Sequence, residues 1–155
     1  MRLWHYKLIP FLPKSQLLAQ WRELNSIFKN KPKHILINYV YEYPKENLKF
    51  YSLLVMVEMK ERHIKCKTDG FKEYFGYVDG LCPEKGQEQI NKMIAENPFP
   101  TNPFPKHHDF IYLRECFYNL EEKYNRGQKD FDFQTYNALF ELYQGEVDKH
   151  FKSIL

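Results

Sequence analysis

The residue types best suited to covalent chemistry stand at the start of the chain. Arg2 is too bulky to permit removal of the initiator methionine, so Met1 is expected to keep the terminal α-amine. An α-amine titrates near about 7.7–8.0, against roughly 10.4 for a lysine, so around neutral pH a useful fraction is an uncharged nucleophile. Such an amine can attack C1′ of a deoxyribose, expel the base and form an imine that promotes β-elimination of the 3′ phosphate. The reaction needs a carboxylate, both to stabilise positive charge at the sugar and to move protons. Among residues 1–35 Glu23 is the single acid.

Two elements must bring this pair together. Residues 1–9 read as an extended arm, with Pro10 and Pro13 stopping any regular helix and bracketing a turn. From Lys14 to Lys29, Leu17, Leu18, Trp21, Leu24 and Phe28 recur at helical spacing. They make one apolar stripe, and Ala19, Arg22, Glu23 and Ser26 project from the other side. Arg22 and Glu23 therefore belong to an exposed or site-facing surface.

The basic loop Asn30–Lys33 follows. His34–Tyr43 is rich in β-branched and aromatic residues and reads as a short strand or an irregular lead into Pro44. Glu46–Arg62 reads as a central helix buried on several sides. Residues 65–83 are mixed, with turns marked by Gly70, Gly76, Gly80 and Pro83. Glu84–Asn97 is a short amphipathic helix, and Pro98–Pro105 is a proline-rich connector that cannot be helical. Asp109 caps a helix that stops at Gly127, and a last helix spans Asp132–Lys152. The expected fold is all-α, a single domain over residues 1–155 with an extended N-terminal arm and at most one short strand.

Composition narrows the function classes. Hydrophobic residues at 43% and charged residues at 28% are globular values. The longest apolar run, Leu53–Val57, is far below the roughly 20 residues of a membrane span, and the N-terminus lacks the apolar region of a secretory signal. Cys66, Cys82 and Cys116 are scattered and odd in number, which argues against a disulfide framework; a cytosolic monomer is expected. Net charge is only +3, but residues 1–35 carry seven basic residues against Glu23, the footprint of a phosphate-binding face or of a solvated lysine-rich surface. No Gly-rich phosphate loop, Walker pattern or Ser/His/Asp arrangement is present. His107-His108-Asp109 with Cys116 lacks metal-ligand spacing and reads as a capped helix start, so neither metal nor cofactor is expected. Trp4 and His5 read as packing anchors, and Cys66 and Cys116 as buried small hydrophobes.

The opening MRLWHYKLIPFLPKSQLLAQWREL, followed by Lys33-His34, resembles the pyrimidine-dimer DNA glycosylase/endonuclease V family. The short arm with its arginine maps onto Arg2, and the family's Leu-x-Ala-x-aromatic-Arg-Glu-Leu helix onto Leu17–Leu24. Bacterial members are closer still. Their MRLWH start, their tyrosine-rich LLVMxEM helix (Tyr51–Met59) and their HDxxYLREC-like helix (His108–Cys116) are all matched. The similarity is strongest over residues 1–65 and 106–124. The resemblance implies an all-α fold with the arm threaded between helices, and DNA-repair chemistry on damaged double-stranded DNA without a cofactor. It assigns the nucleophilic amine to Met1 and the catalytic carboxylate to Glu23. It assigns DNA contacts to Arg2, Gln16, Arg22, Lys33 and His34. Three positions differ from the phage member: its terminal residue is threonine, its histidine stands where Gln16 is found, and its aromatic, basic C-terminal segment has no counterpart. These differences keep two other readings open, a non-catalytic nucleic-acid-binding module on the same scaffold and a lyase acting only on abasic sites.

Overall fold

The computed structural model describes residues 1–76, 85–96 and 101–155. Residues 1–5 form no regular secondary structure, and a 3₁₀ helix, Tyr6–Phe11, follows. The α-helices are α1 (Lys14–Asn30), α2 (Lys45–Glu61), α3 (Asp69–Phe75), α4 (Gly86–Ala95), α5 (Phe110–Asn125) and α6 (Phe133–Ile154). A second 3₁₀ helix, Asn38–Glu42, links α1 to α2. Among the described residues there is no strand, and the fold is all-α.

α2 is the central element. Seven consecutive residues, Asn47–Leu53, are buried, which leaves no solvent-exposed face on that stretch. It packs against α1, α4 and the first 3₁₀ helix, while α5 and α6 pair with each other and with that same 3₁₀ helix. The N-terminal segment thus runs between α2 on one side and the α5–α6 pair on the other. The buried apolar side chains, from Leu3 to Tyr143, form one cluster. No helix of the described residues is long and apolar enough to cross a membrane.

The helix ends follow local chemistry. Asp109 accepts the Tyr112 N–H at 2.9 Å and Asp132 accepts the Thr135 N–H at 2.8 Å, so both are N-caps. Gly127, at φ 81°, terminates α5 in the left-handed region that glycine enters without steric cost. α1 lacks a side-chain cap of its own, and Asp130 supplies one from a distant loop, accepting the Ser15 N–H at 2.6 Å and the Ser15 hydroxyl at 2.9 Å.

Of the two readings of His34–Tyr43 the irregular one holds, and the reading of Pro10 needs correction. His34–Tyr43 contains no strand: the Ile37 and Asn38 amides bond back to the His34 carbonyl, and the His34 N–H bonds to Asn38 Oδ1 at 2.8 Å. Those local bonds use the groups a ladder would need, and the segment winds into turns and a 3₁₀ helix. Pro10 does not end the regular structure but lies inside the first 3₁₀ helix. Arg62 donates to the Leu12 carbonyl at 2.7 Å and to the Pro10 carbonyl at 2.9 Å, satisfying the end of that helix. α3 was not anticipated, being only seven residues long; it is held by Phe71, Tyr74 and Phe75 packed around Phe28. Cys116 is buried as expected, whereas Cys66 is only half-buried. The expected turns at Gly80 and Pro83, residues Asn97–Pro100 and Cys82 lie outside the described residues.

Candidate active site at the chain terminus

Threading the arm between helices would strand its backbone polar groups away from water, and the structure meets that demand with side chains. The Arg2 N–H donates to Glu23 Oε2 at 3.2 Å. The Arg2 carbonyl accepts from Gln20 Nε2 at 3.1 Å, and the same Nε2 donates to Glu23 Oε2 at 3.3 Å. The Leu3 carbonyl accepts from the Tyr112 hydroxyl. The Trp4 N–H donates to Gln20 Oε1 at 2.7 Å, and the Trp4 carbonyl accepts from the Tyr51 hydroxyl at 2.6 Å. These partners come from α1, α2 and α5, so three helices fix the backbone of three consecutive residues, Arg2–Trp4.

Gln20 is the hub, and its amide has one orientation that works. Oε1 faces the Trp4 N–H donor, while Nε2 faces two acceptors, the Arg2 carbonyl and the Glu23 carboxylate. A glutamine reads as exposed in a helical pattern, yet here it is buried. The available signal was its i, i+3 spacing from Glu23 on α1.

The far end of the arm is tied down by two histidines. The Lys7 N–H donates to His5 Nδ1 at 3.2 Å, which leaves the His5 proton on Nε2, 3.0 Å from the His108 carbonyl. The Tyr6 N–H donates to His108 Nδ1 at 3.2 Å, so the His108 proton sits on Nε2, 2.7 Å from the Tyr39 hydroxyl oxygen. Each ring therefore packs as the neutral tautomer. Burial lowers the His5 pKa to about 4, against a partial offset from the His108 carbonyl. Burial, with the neighbouring histidines His5 and His107, holds His108 well below its ordinary value. His5 is thus the packing anchor expected of it, and Asp109 is a cap.

This pair makes the fold acid-sensitive. In the unfolded chain a histidine titrates near about 6.5. As pH falls through that value the unfolded chain takes up protons that the folded state refuses, so stability is present above it and lost in acid. His5 alone is expected to cost about 2 kcal/mol of stability on going from pH 7 to pH 5, with His108 acting in the same direction. Urea denaturation at the two pH values reads the loss directly. Imidazole resonances that titrate normally near 6.5 in the folded protein would contradict the neutral pair.

The terminus itself is open. Met1 is 38% exposed. Because the next residue's amide bonds to Glu23 at 3.2 Å, the α-amine one residue upstream lies within about 7 Å of that carboxylate. Glu23 is half-buried, and both hydrogen bonds fall on Oε2. Among the described residues nothing donates to Oε1. The arm thus orients the carboxylate through one of its two oxygens.

Residues 1–70 match the model of the pyrimidine dimer DNA glycosylase family. This bears out the resemblance read from the sequence and supports, at the level of that family, a DNA-repair glycosylase. The match contains Met1, Gln20, Glu23 and Tyr51 together with all five residues assigned to DNA contacts. The second similar stretch, 106–124, lies beyond it, although its His108 and Tyr112 hold the arm. No curated protein and no solved structure matches the chain.

The five assigned DNA contacts are placed differently from one another. Arg22 and Lys33 are exposed. Arg2 is half-buried: its guanidinium sits 6.0 Å from the Trp4 ring centre, 5.7 Å from that of Tyr112, and 3.9 Å from Cys116 Sγ. In this position it packs against Trp4 of the arm and Tyr112 and Cys116 of α5 rather than reaching outward. Gln16 donates to Gln128 Oε1 at 2.9 Å, an intramolecular tie to the loop after α5. His34 organises its own turn, its Nδ1 accepting the Leu36 N–H at 3.2 Å. Sequence reasoning missed Gln20, Tyr51 and Tyr112, whose importance depends on where the arm runs.

Proposed function

We propose that this protein is a DNA glycosylase with AP-lyase activity on pyrimidine dimers or related damaged pyrimidines, and that the Met1 α-amine is its nucleophile. The observation that carries the reading is the bracket of Arg2 between Gln20 and Glu23, which keeps the terminal nitrogen of the partly exposed Met1 close to a carboxylate whose two hydrogen bonds both fall on Oε2. The neutral amine attacks C1′, and the C1′–N bond breaks with its electron pair leaving on the pyrimidine, which takes up a proton. Glu23 Oε1 accepts the proton shed by the amine nitrogen and returns it to O4′ as the C1′–O4′ bond opens to give the protonated imine. The regenerated Glu23 carboxylate then takes a C2′ proton, the electron pair expels the 3′ phosphate oxygen as the C3′–O3′ bond breaks, and water hydrolyses the imine to free the enzyme.

Borohydride added during turnover reduces such an imine to a stable amine. The expected result is a covalent protein–DNA adduct on both dimer-containing and abasic duplexes. An adduct on abasic DNA alone would reduce the activity to that of a lyase. Salt-sensitive binding with no adduct on either duplex would leave only a nucleic-acid-binding module.

A further inference from the structure

Beyond Glu23, α1 runs into a basic surface of which only Lys33 is among the assigned contacts. Arg22 and Lys29 are seven residues apart, hence on one face of α1 and about 10 Å apart along its axis. Lys29 opens onto a cleft of 680 Å³ lined by Lys31, Lys45, Glu73 and Tyr74. A second cleft of 470 Å³ adjoins it, sharing Lys31, Lys45 and Tyr74 and adding Lys33 and Tyr41. Four lysines thus face one carboxylate, Glu73, along a continuous groove.

The groove is built rather than incidental. Tyr74 stacks on Phe28 of α1 with ring centres 5.4 Å apart, which fixes its ring at the junction of the two clefts. The Lys45 ammonium lies 4.1 Å from the centre of that ring and 3.4 Å from the Tyr74 carbonyl, and the Lys31 ammonium lies 5.7 Å from the ring. Tyr41 donates to the Pro32 carbonyl at 2.7 Å, pinning the loop that carries Lys31 and Lys33. Lysines held against an aromatic face lose less freedom when they meet an anion. Gly70 lets α3 close on α1 here, since a Cβ at that position would stand 2.7 Å from Asn25 Oδ1.

We infer that Lys31 and Lys45, held against Tyr74, form with Lys29 and the already assigned Lys33 a groove that holds the phosphodiester backbone of the DNA strand leaving the Glu23 site. The inference deepens the DNA-repair reading and rests on it for the identity of the polyanion. Ammonium groups act as point charges toward phosphate, and the groove continues the α1 face that carries Arg22, so a strand engaged beside Glu23 meets it next.

Binding of undamaged duplex DNA, followed by fluorescence anisotropy over a range of salt concentrations, tests the groove without any need for catalysis. In the triple variant Lys29→Gln, Lys31→Asn, Lys45→Gln, the slope of log affinity against log salt is expected to fall in magnitude by about 2–3. Asparagine is chosen at 31 because that residue has φ 45°. A control pair, Lys92→Gln with Lys152→Gln, removes charge from helices that line neither cleft and is expected to change the slope much less. A triple variant with the wild-type slope and affinity would overturn the groove. A slope difference in a protein that forms no adduct with damaged DNA would keep the groove and remove the enzymatic reading, so the two failures are distinguishable.

Discussion

Replacing Glu23 by Gln is expected to lower strand nicking by about 10²–10⁴-fold while DNA affinity stays within a few-fold of wild type. The geometry explains why the effect should be selective. Glutamine offers a carbonyl oxygen where Glu23 Oε2 receives the Arg2 N–H and Gln20 Nε2, so the arm keeps its partners. What is lost is the charge that stabilises a cationic sugar and the oxygen that accepts a proton. Single-turnover nicking and anisotropy on the same duplex separate the two quantities. Wild-type nicking by Glu23→Gln would refute the role given to this residue.

Gln20→Leu carries the second large effect, and it acts through position. Leucine fills a similar volume but leaves the buried Trp4 N–H and the Arg2 carbonyl without this partner. Each unsatisfied group costs about 1–3 kcal/mol, so a stability loss of about 2–4 kcal/mol is expected in denaturant titration. With the arm released, the terminal nitrogen is no longer held beside Glu23, and a displacement of about 1 Å can cost on the order of 10²-fold in rate. The distinguishing signature is a fall in kcat with KM nearly unchanged, measured well below the variant's Tm, since Gln20 faces the arm. A variant that is destabilised yet turns over at the wild-type rate would make Gln20 structural only.

How much of this was legible in the sequence varies element by element. α1 could be read from Leu17, Trp21, Leu24 and Phe28, and the starts of α5 and α6 from Asp109 and Asp132, because a helix's apolar stripe and its caps are local signals. The two 3₁₀ helices and α3 escaped because each is shorter than two or three helical turns, too short for a period to show. In 34–43 the β-branched and aromatic residues favour a strand only if a partner strand exists, and none is among the described residues. At the site, Glu23 and Arg22 were visible as polar residues on the far side of an apolar stripe. Gln20, Tyr51, Tyr112 and His108 were not, because each serves the backbone of an arm more than 15 residues away in sequence, and such pairings leave no periodic trace.

The central claim is that the terminal nitrogen is the reacting atom. Its most direct test is to trap the adduct with borohydride on a dimer-containing duplex, digest the protein and locate the modified peptide by mass spectrometry. A single cross-link on the Met1 amine is expected, and no adduct from protein whose N-terminus has been acetylated. An adduct carried by a lysine side chain, or one that forms undiminished on the acetylated protein, would contradict it.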